Sequence, residues 1–301
     1  LQANIGTLLY DNMRIFNLKG SMQANDQALK LSDVYMNTLG GSILMSGLYD
    51  TKADEGPKVD FALQIKDMVI RDAANTFNTV KQLAPIAENT KGTASLKLNF
   101  SARADRQFNL HYPSLNGSGN INTSQITIEG FEMIKRTAEA LKIDKLKKWQ
   151  MEKFSAGFVI REGKLFVEPF ETKIGNYKAK IAGSNGLDQS IEYVVNLDIP
   201  RSEFGGAANS VLNNLTAQAN AKGIQGSLGE TIPVAVKITG TFSNPTIRTD
   251  IKQQASDAMQ DLKKQAENQL KEEAATLQGL KDEVRRTRAV ELLHRTQRPI
   301  K

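Results

Sequence analysis

The chain has 301 residues, of which 40% are hydrophobic and 24% charged, with no cysteine, two histidines and a net charge of +6. This is an ordinary balance for a folded protein, and it excludes a disulfide framework, a thiolate metal site and a cysteine nucleophile. Aromatic residues make up only 6% while glycines number 22, which suits many turns joining strands with a core of Leu, Ile and Val.

Residues 5 to 49 are expected to form four or five short strands. Met13, Ile15, Leu29, Leu31, Ile43 and Met45 are inward candidates, and Asn12, Asn25-Asp26 and Gly40-Gly41 mark turns. The stretch DTKADEGPK (50–58) has the charge, glycine and proline of an exposed connection. Val59, Phe61, Leu63 and Ile65 then alternate, which sets them on one face of a strand. From Asp67 the spacing changes to three and four through Ile70, Ala73, Ala74, Phe77, Val80 and Ala84, predicting a short helix that ends at Pro85. Leu96, Leu98 and Phe100 return to alternation. A loop is expected around His111 to Pro113, followed by two strands in LNGSGNINTSQITI (115–128).

At Gly130 the period changes again. Phe131, Ile134, Ala138 and Leu141, then Leu146 and Trp149, outline a basic amphipathic helix or broken helix, which caps the sheet with its lysines in water or, as the lesser alternative, binds a membrane surface. Residues 154 to 199 read as a β-meander with turns at Glu162-Gly163, Gly175-Asn176 and Gly186. Its last strand places Ile191, Tyr193, Val195, Leu197 and Ile199 on one face and Glu192, Asn196 and Asp198 on the other. Residues 17 to 50 follow the same scheme: Gly20, a turn at Asn25-Asp26, Leu29 and Leu31, then Gly47 parallel Gly157, the turn at Glu162-Gly163, Leu165 and Val167, then Gly183.

A helix is expected over 203–222, and Ile232, Val234, Val236, Ile238 and Phe242 form the last strong strand, with a turn at Asn244-Pro245. From Ile251 to about Arg288 only Gly279 interrupts good helix formers, which predicts a long helix with a narrow, alanine-rich stripe. Residues 251 to 301 carry eleven Lys and Arg against eight Asp and Glu, and six of those cations lie from Arg285 onward. The chain thus divides into a β body over 1–250 and a charged helix with a basic tail over 251–301.

Chemistry-bearing patterns are sparse. His111 and His294 fall in different kinds of segment, and HExxH, GxSxG and GxxxxGK[ST] are all missing. Gly117-Ser118-Gly119 is explained by a turn, and the acidic residues are scattered without a carboxylate pair or calcium loop. The expectation is a protein that is not an enzyme and needs no cofactor. The basic tail lacks the aromatic interleaving of a nucleic-acid binder. No run approaches the roughly 18 apolar residues of a membrane span, so a signal or anchor is expected to lie outside these residues.

The fold expected is mainly β, of the α+β kind: an antiparallel sheet with short capping helices and a long C-terminal helix. Its apolar face has two uses open to it. As a groove, it would present Val59, Phe61, Leu63, Ile65, Leu96, Leu98, Phe100, Ile191, Tyr193, Val195, Leu197, Val234, Val236 and Ile238 to lipid acyl chains. As a dry sandwich, the same residues would meet one another in a core.

Three stretches carry a resemblance. LNGSGNINTSQITIEGFEMIKRTAEALK (115–142) leads a G-x-G-x-hydrophobic strand through a glycine turn into a helix. Residues 158 to 183 hold an F-x-hydrophobic-x-x-G-x-L meander, and ETIPVAVKITGTFSNPTIRTD (230–250) ends in hydrophobic-G-T-hydrophobic-x-x-P. Together they resemble the C-terminal region of AsmA-family proteins, a group allied to the bridge-like lipid-transfer proteins with repeating β-grooves. The resemblance covers most of residues 5 to 250; the stretch from Ile251 falls outside it. It implies an elongated, curved sheet, a β-groove of taco-like section, in a periplasmic body anchored to the inner membrane of a diderm bacterium, with a part in outer-membrane biogenesis. Its implied partners are phospholipid acyl chains, the inner membrane, and outer-membrane or envelope proteins.

Overall fold

Long runs of period two produce long strands. The computed structural model describes residues 1–10, 13–52, 56–203 and 230–249. The chain divides into two compact units: Leu1–Ile199 with Pro233–Asp250, and Pro200–Ile232 with Ile251–Lys301. What is described of the second is limited to its ends, where a 3-10 turn spans Arg201–Glu203 and the Arg201 amide donates to the Glu230 carbonyl at 3.0 Å. The helix expected over 203–222, except for its first residue, and the long C-terminal helix both lie outside the described residues.

In the first unit β1 (Gln2–Tyr10), β2 (Met13–Asn25), β3 (Ala28–Thr38), β4 (Gly41–Asp50) and β5 (Lys58–Val69) form an antiparallel meander. A helical segment follows, consisting of α1 (Ile70–Thr76), α2 (Asn78–Leu83) and a 3-10 turn over Pro85–Asn89. After the two-residue β6 (Thr90–Lys91), β7 (Thr93–Ala104) and β8 (Leu110–Thr123) extend the sheet from β5. β9 (Ile126–Glu129) and β10 (Lys148–Met151) flank α3 (Glu132–Leu141) and a 3-10 turn over Asp144–Lys147. β11 (Ser155–Arg161), β12 (Lys164–Ile174), β13 (Tyr177–Asn185), β14 (Ser190–Pro200), β15 (Thr231–Thr241) and β16 (Pro245–Thr249) complete it. The main path runs in chain order, β1 to β5, β7, β8, then β11 to β16, with β6, β9 and β10 on a side branch that joins at β12. This is a mainly β, open antiparallel sheet, as the alternation predicts, and it is curved, as the resemblance implies.

Direct cross-strand pairing turns the separate alternations into continuous apolar rows. One runs Val34, Met45, Leu63, Leu98, Gly119, Phe158, Val167, Gly183, Tyr193. The next runs Leu31, Gly47, Phe61, Phe100, Gly117, Ile160, Leu165, Asn185, Ile191. A third joins Met36, Ile43, Ile65, Leu96, Ile121 and Ala156.

Three glycines in these rows lie beneath aromatic rings of the following strand. A Cβ on Gly119 would stand 2.6 Å from Phe158 Cζ, and one on Gly47 or Gly183 would collide with the ring of Phe61 or Tyr193. The parallel between Gly47 and Gly183 seen in the sequence is therefore physical: each makes room for the ring that crosses it.

Two bulges are built alike. Asp33 and Asp67 take left-handed backbone (φ 50° and 52°) where the β3–β4 and β5–β7 registers shift, a conformation that Asp tolerates better than most residues. The Asp33 amide donates to Ser46 Oγ at 2.9 Å and the Asp67 amide to Ser95 Oγ at 3.0 Å.

Four local expectations need correction. Gly117 to Gly119, expected in a turn, lie inside strand β8 and pair with Phe100, Asn99 and Leu98. The helix expected from Asp67 to Pro85 begins only at Ile70 and is broken at Phe77, whose backbone is extended (φ −104°, ψ 108°). His111 to Pro113 belong to strand β8, not to a loop. Pro113 is accommodated there by a register shift opposite Ala102, where Ser114 Oγ accepts from the Arg103 amide at 2.8 Å. Trp149 lies on β10, paired with Ile128, because the helical stretch stops at Leu141 with Lys142 left-handed at φ 57°.

Turns are clamped by carboxylates. Asp105 accepts from the side chain and amide of Asn109 and from the Gln107 amide, each at 2.8 Å, and these bonds hold its carboxyl below the usual range. Asp188 is lowered likewise, first by the Ser190 hydroxyl and then by the Ser190 amide. A carboxyl depressed by folding contributes stability that is complete above its unfolded pKa and is lost as pH falls through the folded value. Asp105→Asn is therefore expected to weaken the acid dependence of the urea midpoint below about pH 4. Gly183→Val should lower stability by about 1–3 kcal/mol through overpacking against Tyr193, read as a lower urea midpoint at unchanged slope.

Candidate functional site

The apolar face that the sequence singles out differs between its two ends. Phe61, Leu63, Ile65, Leu96, Leu98 and Phe100 are only half-buried, although each sits in a row of apolar neighbours. Val59, next to them, is buried. In the C-terminal strands Val195 and Val234 are 1% exposed and Leu197, Val236 and Ile238 are 0%, with Ile191 also buried. Tyr193 is largely enclosed, and burial pushes its phenol well above the ordinary range. The fourteen candidates thus separate into an open set of six on β5 and β7 and a closed core on β14 and β15, with buried Val59 and partly buried Tyr193 as the exceptions on their strands, and the structure does not bring them into one surface of uniform exposure.

Near the closed end α3 packs through Met133, Ile134, Thr137, Ala138 and Leu141, all buried. Arg136 Nη1 donates to the Pro245 carbonyl at 3.2 Å, and the rings of Phe131 and Phe242 lie 5.8 Å apart. The apolar stripe read from the sequence is the one that is buried, and its lysines are exposed, as expected of a capping helix.

At the open end the cover is thinner. Tyr49, Val59, Ala102, Ala104, Leu115 and Ile160 form a buried cluster, against which Phe61, Leu98, Phe100 and Leu165 pack from the sheet and Leu83 from α2. Two hydrogen bonds tie α2 to the same face. Thr79 Oγ1 and the Tyr112 hydroxyl are 3.2 Å apart, and Asn185 Nδ2 donates to the Leu83 carbonyl at 2.9 Å. Asn185 Oδ1 accepts from the Tyr193 hydroxyl at 2.8 Å, which satisfies a side chain only 1% exposed. Nearby, the Tyr49 hydroxyl donates to the Asp105 carbonyl at 3.0 Å and holds the β7–β8 turn.

Sequence reasoning passed over Tyr112, Asn185 and Leu83. A signal was present for Asn185: the alternation Ala179, Ile181, Gly183 continues to it, so it must point to the apolar face.

The opposite face is mixed: Gln64, Lys97 and Asn120 share it with Leu44, Leu48 and Phe166, each more than a third exposed. A shallow depression of about 570 Å³ is lined by Ser46, Gln64, Lys97, Asn99, Asn120 and Glu168 together with Leu44, Ala62, Leu63, Leu98, Phe158 and Val159. His111 is exposed on β8. Among the described residues no group of three or more His, Cys, Asp or Glu is placed to hold a metal ion, and no helix is long and apolar enough to cross a membrane. Comparison with family models, with characterised proteins and with solved structures finds no match.

The split between open and closed ends has a measurable consequence. Leu197→Ala, which empties a fully enclosed position, should cost about 2–5 kcal/mol. Leu98→Ala, on the half-buried face, should cost distinctly less, and urea denaturation of both variants makes the comparison.

Proposed function

We propose that this chain is a non-catalytic lipid-handling module, one that shields phospholipid acyl chains along the apolar face of its sheet. The observation that carries the reading is the half-burial of Phe61, Leu63, Ile65, Leu96, Leu98 and Phe100 in unbroken cross-strand rows. A sheet face of this composition is normally sealed by a second layer. Here the six side chains keep contact with water that an acyl chain would replace, at roughly 0.8 kcal/mol per buried methylene. Rows without charged side chains offer no fixed anchor, which suits a surface that must release its cargo.

The resemblance to the AsmA C-terminal region supplies the setting: a periplasmic body anchored to the inner membrane, taking part in outer-membrane biogenesis by moving phospholipid between the two membranes. A second reading draws on the sealed positions Val195, Leu197, Val234, Val236 and Ile238. On that reading the module is structural, its apolar face is a dry core, and it carries no lipid.

Native mass spectrometry with lipid extraction, on the chain purified from a bacterial membrane fraction without harsh delipidation, separates the two. Co-purified phospholipid in roughly stoichiometric amount is expected. It should fall strongly in the Leu63→Gln, Leu98→Gln double variant while the far-ultraviolet circular dichroism stays unchanged. A lipid-free, stably folded wild type would sink the proposal in favour of the dry core.

A further inference from the structure

The segment Ile70–Asn89 is held less firmly than the sheet it lies on. Neither of its helices has a side-chain N-cap, α1 buries only Ala74, α2 buries no residue, and the 3-10 turn buries only Ala87. The two helices meet at extended Phe77. The ion pair between Lys81 Nζ and Glu88 Oε1, at 2.8 Å, closes within the segment itself. Arg71 Nε is shut away from water with no hydrogen-bond partner, which makes the closed position costlier to hold. Uncapped helices with little buried side chain belong to the low-stability end of a protein.

The polar groups beneath are fully used only while the segment is down. Asn185 Nδ2 is occupied by the Leu83 carbonyl and the Tyr112 hydroxyl by Thr79. If the segment swings away, both donors become free beside the apolar rows, and the place of Leu83 against the Val59 cluster becomes vacant. An acyl chain fits that place, and an ester carbonyl or phosphate oxygen of the same lipid can accept from the released donors.

We propose that Ile70–Asn89 is a displaceable lid, latched by the Thr79–Tyr112 and Leu83–Asn185 hydrogen bonds and exchanged for a phospholipid. The inference rests on the acyl-chain reading above. Lid and lipid offer the same face the same kinds of contact, an apolar chain and one or two acceptors. Occupancy then depends on a small difference, and loosening a latch raises apparent affinity by enlarging the open fraction.

The test uses the whole chain, hydrogen–deuterium exchange, and titration with phosphatidylethanolamine bearing a fluorescent acyl chain. Lid amides should exchange faster than those of β5 and β7. Thr79→Val, which removes one latch from the lid side and leaves the Tyr112 hydroxyl in place, should speed lid exchange and tighten lipid binding by about fivefold. Because the chain has no cysteine, a Thr79→Cys, Tyr112→Cys variant can be bridged by a short bis-maleimide, and bridging should abolish the binding seen in its unbridged form. Lid amides as protected as β5, or equal binding with and without the bridge, would overturn the lid and leave the acyl-chain reading standing. Opening by exchange with no lipid bound by any form would overturn that reading, and the gating role with it.

Discussion

Register is the constraint on which everything else in this sheet depends. Side-chain direction repeats every two residues along a strand, so a slip of one residue anywhere would turn that strand's apolar set to the solvent and break every row crossing it. The structure fixes register with steric and polar devices. Phe158 lies over Gly119, Phe61 over Gly47 and Tyr193 over Gly183, and a side chain on any of these glycines would collide with the ring. Where the count must change, Asp33 and Asp67 absorb the extra residue in left-handed backbone and lend their amides to Ser46 and Ser95. At the strand ends, Asp105 and Asp188 hold their turns by accepting backbone amides.

With register secured, the same alternation serves two ends differently. In β14 and β15 it makes a core from which water is excluded. In β5 and β7 it makes a face that Leu83 and two hydrogen bonds cover in part. The difference lies in the cover. α3 presents five buried side chains, whereas α1 and α2 together bury one alanine. Asn185 marks the polar point on this otherwise apolar face, with the carboxamide serving Tyr193 on one side and the lid backbone on the other.

The strands were legible because alternation is a local property: Val59 to Ile65, Leu96 to Phe100, Ile191 to Ile199 and Val234 to Ile238 all stand where period two puts them. What period two does not contain is depth. Leu98 and Leu197 read alike in sequence, yet one keeps contact with water and the other has none, because exposure depends on which distant segment lies above. The errors were of the same origin. His111 to Pro113 looked like a loop because a proline is unsuited to a ladder, and only the bulge opposite Ala102 makes room for it. Trp149 fitted a helical count that Lys142 had already ended. Phe77 satisfied the helical period while adopting the extended backbone that breaks it. Tyr112 and Asn185 were missed because their importance comes from partners more than thirty residues away.

The order of strands has a bearing on how the molecule comes apart. From β1 to β5, and again from β11 to β14, each strand pairs with its sequence neighbour, so closing each hairpin confines only a short loop. The joins from β5 to β7 and from β8 to β11 instead skip over inserted helical or side-branch segments, and closing a longer loop costs more entropy. Contacts within a meander are thus cheap to form, and those at the two joins are dearer. An arrangement of this kind favours units that melt separately over one all-or-none transition. Calorimetric enthalpy larger than the van't Hoff value is the mark it should leave, and a single melting temperature would then describe a seam and not the whole protein.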